Sequence, residues 1–362
     1  MEKRIVKFPL SVELIKRIDQ AVIAGKGGLE TREQFFREAA EGFLADLSYE
    51  QAPEPVLRSG ATPSQEIVGA EFISEMVGSV PSWEREELQL ANLAGTALAA
   101  PGKVTAWDSG VAEPDAEPML GLHNRDYPSL WAASRLACYS REEAIPFDQF
   151  RRRTTDAAWL FGSELARITG EGDARLTALF PTNPRKPESS ERAFQSFAIG
   201  SIPNRRPTHG TIPASGPLFS WGMCQLRRLD GDLYVALTPP GRGLLEDLTG
   251  ISLELPHEAR LARAFLSYVF EHAPGDGWGF SRILEAAQTR PGREEIVATI
   301  GAARPEWSAA TASSVAQGYI ARAREWGLLE PRLKQGKYVL TVFGEEWNSD
   351  PGAPKIQDTS GR

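Results

Sequence analysis

Few residues of this 362-residue chain are spaced for catalysis. The four histidines, His123, His209, His257 and His272, are scattered, with no HExxH pair and no Cys/His cluster at zinc spacing. No G-x-S-x-G elbow or dinucleotide fingerprint occurs. AGKGG (24–28) lacks the spacing and the hydroxyl of a phosphate loop, and GDGWG (275–279) reads as a turn. Pro114-Asp115 with Glu117 has no lysine at the offset a nuclease site needs. The expectation is a chain that is not an enzyme, with no metal and no cofactor. What the sequence does carry is cations and polar side chains at spacings suited to phosphates and bases. Lys3, Ile5 and Lys7 alternate, which puts them on one face of an extended segment. Thr311, Ser314, Gln317 and Arg322 fall on one side of a helical stretch, and Arg332, Lys334 and Lys337 crowd the turn after it. Arg151, Arg152, Arg153, Arg185, Lys186, Arg205 and Arg206 form further basic patches suited to phosphate.

The elements that must hold Lys3, Ile5 and Lys7 are read from residues 3–47. A short alternating segment, Lys3 to Phe8, stops at Pro9, which opens an amphipathic helix to about Ala24 with Leu10, Leu14, Ile18 and Val22 on one face. After Gly25, Gly27 and Gly28, Thr31 caps a second helix, TREQFFREAAEGFL, with Phe35, Phe36, Ala39 and Phe43 turned inward. A lone strand and two short helices bury too little surface to be stable, so the segment makes physical sense if two copies pair strands and interlock helices. These residues resemble the ribbon-helix-helix family of DNA-binding proteins. The resemblance implies a homodimer whose two antiparallel ribbons lie in the major groove of double-stranded DNA. It further implies that Lys3, Ile5 and Lys7 face the bases, and that backbone N–H groups near Thr31 and Arg32 hold a phosphate. Ile5 is apolar where the family more often has a polar reader, which suits a thymine methyl. Arg4 falls on the inward phase, where the family prefers an apolar residue. A helical hairpin used for dimerisation alone is the alternative for the same residues.

Composition and charge set the frame. With 41% hydrophobic and 24% charged residues and no long apolar run, the chain reads as a soluble, cytoplasmic, nucleoid-associated protein with no membrane partner. Cys138 and Cys224 read as reduced core residues. The net charge of −8 does not exclude DNA, because residues 51–127 alone hold 12 acidic against 4 basic side chains. That stretch reads as an acidic connector (49–127) with helices, a Pro/Ser/Gly-rich tether and at most one short strand at Lys103–Trp107.

The rest contains a weak repeat, LRRLDGDLYVALTPPGRGLLEDL (226–248) and LEPRLKQGKYVLTVFGEEW (329–347). Each has a basic strand, a glycine turn, a strand ending in Leu-Thr and a glycine soon after, with Asp230-Gly231 a strong hairpin turn. This resembles the wing of winged-helix domains. Upstream of the second copy, 257–273 reads as the first helix and REEIVATIGA as the next. Ser308 caps a helix to about Trp326 with Ala312, Val315, Tyr319, Ala323 and Trp326 inward. Upstream of the first copy, 128–143, 147–168 and 189–202 read as helices, and PLFSWGMCQL (217–226) as the last one before the wing. The expected fold is therefore mainly α with small β elements. It comprises a ribbon-helix-helix (1–48), an acidic connector, two winged-helix-like α+β domains (128–250 and 256–347) and a flexible tail (348–362). The expected function is sequence-specific binding of double-stranded DNA, as a transcriptional repressor acting as a homodimer or higher oligomer. Alternatives are a plasmid or viral replication, partition or nucleoid protein, and a dimeric adaptor whose partner is a protein such as a toxin or defence component.

Overall fold

The computed structural model describes residues 97–102, 104, 106–107, 117–119, 124–141, 143–169, 179–182, 187–202 and 214–350. The chain divides into Met1–Ala61 and Thr62–Arg362, and the described residues lie in the latter. The expected ribbon-helix-helix, with Lys3, Ile5, Lys7, Thr31 and Arg32, lies outside them, as do the connector helices and the tail beyond residue 350. The described part is mainly helical, with one small antiparallel sheet.

Its first half begins with α1 (Tyr127–Tyr139), β1 (Ile145–Pro146) and the long α2 (Phe147–Thr169). Next come α3 (Pro187–Phe194), which widens into a π turn (Gln195–Ile199), and the short α4 (Pro217–Ser220). A hairpin of β2 (Cys224–Leu229) and β3 (Asp232–Leu237) then leads into α5 (Pro239–Asp247). The sheet order is β1-β3-β2, with Cys224 opposite Leu237 and Leu229 opposite Asp232. That register leaves a two-residue turn at Asp230-Gly231 with φ of 50° and 96°, the positive pair that a tight hairpin twist requires. The expected strand near Trp107 is a single bridge, Ala106 to Leu237.

After α6 (Ala259–His272), the second half runs through α7 (Pro274–Ala287), α8 (Arg293–Ala303), α9 (Ala309–Glu325), a turn segment and α10 (Val342–Ser349). GDGWG, read above as a turn, is the first part of α7. Pro274 starts this helix, and its glycine has a packing purpose: a Cβ on Gly279 would come within 2.1 Å of the Tyr319 ring of α9. Helix α7 packs on both α8 and α9, so it is the first helix of that three-helix group, a place the sequence reading gave to α6. The hairpin that follows α9 is minimal. Leu329 bridges Leu340, and Lys334 and Lys337 exchange backbone hydrogen bonds of 3.0 and 3.1 Å around Gln335-Gly336. Tyr338 N–H also donates to Pro291 O between α7 and α8, just as β3 pairs with β1 between α1 and α2.

The repeat legible in the sequence is thus a repeat of structure. Helices α4 and α9 both end at a tryptophan, Trp221 or Trp326, followed by a left-handed glycine, Gly222 (φ 66°) or Gly327 (φ 67°). Only glycine takes that conformation without a Cβ clash, so the chain turns from helix into hairpin at the same point twice. Each hairpin ends in a threonine that reports back to its own start. Thr238 N–H donates to Met223 O and its hydroxyl to Gly222 O; Thr341 N–H donates to Leu328 O and its hydroxyl to Gly327 O. The same hydroxyls accept from Gly241 N (3.1 Å) and Gly344 N (2.9 Å), capping α5 and α10. A Cβ on Gly241 would lie 2.3 Å from Met223 O, and one on Gly344 would lie 2.1 Å from Leu328 O. Upstream, Trp131-Ala-Ala-Ser134-Arg135 in α1 is matched by Trp278-Gly-Phe-Ser281-Arg282 in α7.

PLFSWGMCQL is not one helix, because Gly222 ends it and β2 starts at Cys224. A continuous buried cluster extends from Leu98 to Trp347 and spans both halves. In the first, Trp131 stacks on Phe161 and Phe180 meets both edge-on; in the second, Phe280 meets Tyr319 edge-on. Cys224 is buried and Cys138 half-buried, both as free thiols.

Candidate nucleic-acid interface

Of the residues singled out for DNA contact, seven are described, and they separate into three environments. The α9 cap forms as its sequence indicates: Ser308 Oγ accepts from Thr311 N at 3.0 Å, and the Thr311 hydroxyl lies 2.8 Å from the same oxygen. Ala312, Val315, Tyr319, Ala323 and Trp326 are all buried, as their spacing requires. Thr311, Ser314 and Gln317 sit half-buried on the opposite side. Gln317 Oε1 accepts from Arg293 at 3.2 Å, a residue of α8 that sequence reasoning missed.

Arg332, Lys334 and Lys337 are exposed on the minimal hairpin. Lys334 pairs with Glu330 at 2.8 Å, and Lys337 with Glu295 at 3.2 Å. Hydrogen bonding from Gly292 N–H, then from Lys337, holds the Glu295 carboxyl below its ordinary value. Exposed pairs of this kind contribute little to stability, so a phosphate oxygen can replace the carboxylate at little cost. Arg293 and Glu295 share the first turn of α8, so Gln317 and Lys337 are joined through that one turn.

Arg322 has to be removed from the interface. It is 1% exposed, and its guanidinium donates to Asp126 (2.7 Å) and, through two nitrogens, to Asp276. The helical line 315, 319, 322, 326 runs through it, so periodicity places it inside; its charge argued the other way. Trp221 Nε1 and the Tyr319 hydroxyl also donate to Asp276, while Trp326 Nε1 donates to Asp126 at 2.6 Å. Burial pushes the Asp276 carboxyl up, but the Arg322 charge and these hydrogen bonds outweigh it and hold the group below the usual range.

Next to it, Glu325 accepts from the backbone N–H of Asp126 (2.7 Å) and Tyr127 (3.2 Å), placing a carboxylate on the N-terminus of α1. Arg125 lies 3.1 Å and His257 3.4 Å from the same group. Burial again raises this carboxyl, and Arg125 and His257 with the backbone donors lower it further than burial raises it. The ion network is buried apart from the edge of Arg125 and binds α1, α7 and α9 together. A lone Asp inside GDGWG and the pair Glu325-Trp326 were its only sequence traces. Among the described residues, no group of three or more His, Cys, Asp or Glu side chains is placed to hold a metal, and no helix is long and apolar enough to cross a membrane.

No family model matches the chain, and no significant match to a curated protein or a solved structure is found.

Proposed function

We propose that the chain is a sequence-specific double-stranded DNA-binding protein, catalysing no reaction, that dimerises through residues 1–48. The pattern of residues 3–47 carries this reading: an alternating cationic segment, Pro9, and two amphipathic helices that cannot be stable as a single copy. The repeated helices-then-hairpin of the second part adds support, since three helices closed by a hairpin that also bonds the helix-one to helix-two connection resemble a winged helix. In this reading Thr311, Ser314 and Gln317 approach bases or sugars, and Arg332, Lys334 and Lys337 approach phosphates. Repression of transcription is the leading role. The repeat favours a second one, replication or partition at iterated sites, because two similar units held in one body can face successive segments of the same duplex.

The test is selection from random and genomic DNA with the full chain and with Lys3→Ala/Lys7→Ala, at two salt concentrations. A short motif enriched by the natural chain, weakened steeply by salt and lost in the double variant, is the expected result. Its location at promoters or at an origin separates the two roles. Binding that the double variant leaves unchanged would reject the ribbon as the reader.

A further inference from the structure

The two repeats differ most between their second and third helices. In the second repeat, α9 is continuous and packs on α8; in the first, the corresponding stretch is α3, the π turn, residues 200–216 and α4. There a polar cleft of about 160 Å³ opens between α2 and the α3–π segment. A π turn adds a residue to the helical turn and often marks a functional position. Here it starts at Gln195, whose side chain points to α2 while Ala198 and Ile199 stay in the core. Gln195 Oε1 accepts from Arg151 at 2.6 Å, its Nε2 donates to Thr155 Oγ1 at 2.9 Å, and Thr155 donates to Arg151 O at 2.7 Å. This closed ring fixes the Arg151 guanidinium. Its Nε is buried with no hydrogen-bond acceptor among the described residues, a donor that calls for one.

Further along the cleft, Glu191 accepts from Trp159 Nε1 at 3.2 Å and shares the wall with Asp156, which is 8% exposed. Burial pushes the Glu191 carboxyl up, and Asp156 and Glu188 add to that against the Trp159 hydrogen bond. Three carboxylates, Asp148 among them, repel a polyanion such as phosphate, and Arg151 and Arg152 repel a bare cation. Arg151 and Asp156 are five positions apart, roughly 7.5 Å along the helix axis.

We propose that this cleft binds a short amino carboxylate, its carboxylate on Arg151 and its ammonium on Glu191. The site stands whether or not the chain binds DNA. The test is calorimetric titration of the full chain with glycine, β-alanine and 4-aminobutyrate, beside acetate and methylamine as single-charge probes. At least one amino carboxylate is expected to bind about tenfold tighter than either single-charge probe. Glu191→Gln should remove that preference, leaving the amino acid and acetate alike, and Arg151→Gln should abolish binding of both. If either variant fails to fold by circular dichroism, the probe series on the natural chain decides alone. No saturable heat from any amino carboxylate, or equal binding of methylamine or acetate, would overturn the proposal.

Discussion

The first repeat builds a true β-hairpin and breaks its third helix; the second keeps that helix whole and reduces its hairpin to a few backbone bonds. Both nevertheless share Trp-Gly at the helix end and Thr-x-x-Gly at the hairpin end. The comparison teaches that these four positions define the unit, while strand length and helix continuity are free to drift. The cross-links between the repeats are reciprocal: Trp221 of the first donates to Asp276 of the second, and Trp326 of the second donates to Asp126 of the first. Arg322 lies between the two carboxylates.

The harshest way to break this relation is Arg322→Met. It leaves two buried carboxylates without their cation and should cost about 3–5 kcal/mol, read as a fall in the urea midpoint. A loss below about 1 kcal/mol would mean the repeats hold together without the charge centre. A milder test compares the shared glycines. Gly241→Ala and Gly344→Ala each drive a Cβ into a carbonyl oxygen and should each cost about 1–3 kcal/mol. Gly243→Ala, where a Cβ meets nothing within 4 Å, should instead stabilise α5 by about 0.5–1 kcal/mol. Thermal denaturation of the three variants gives the answer; a cost confined to Gly344 would show that the first repeat has lost the device. The smallest effect belongs to the caps. Thr238→Ala and Thr341→Ala should each lose about 1 kcal/mol, and equal losses in chemical denaturation would sharpen the equivalence.

Local signals were legible in the sequence where one residue type settles the geometry. The Ser308 cap, the inward stripe of α9, the Asp230-Gly231 turn and the long α2 were all readable, because cap, period and turn chemistry act within a few residues. The repeat was readable too, since Leu-Thr and the following glycine recur, although the reason for the glycine was not. What stayed hidden depends on partners far along the chain. Gly275, Gly277 and Gly279 resemble a turn until Tyr319 is seen lying against that helix, and Arg322 looks like a surface cation until Asp126 and Asp276 surround it. The π turn at QSFAI has no composition of its own, and neither does the cleft it helps to form.

Phe265 belongs to α6, the helix between the repeats, yet its ring stacks on Trp326 at 4.0 Å and meets Trp221 edge-on at 5.3 Å. One side chain therefore completes the aromatic packing of both copies. Neither copy can lose the linker helix or its twin without uncovering its own tryptophan, so a cut anywhere in 250–258 would leave two pieces with unfinished interiors. The two modules, built on the same plan, are therefore expected to unfold together, in one transition rather than two.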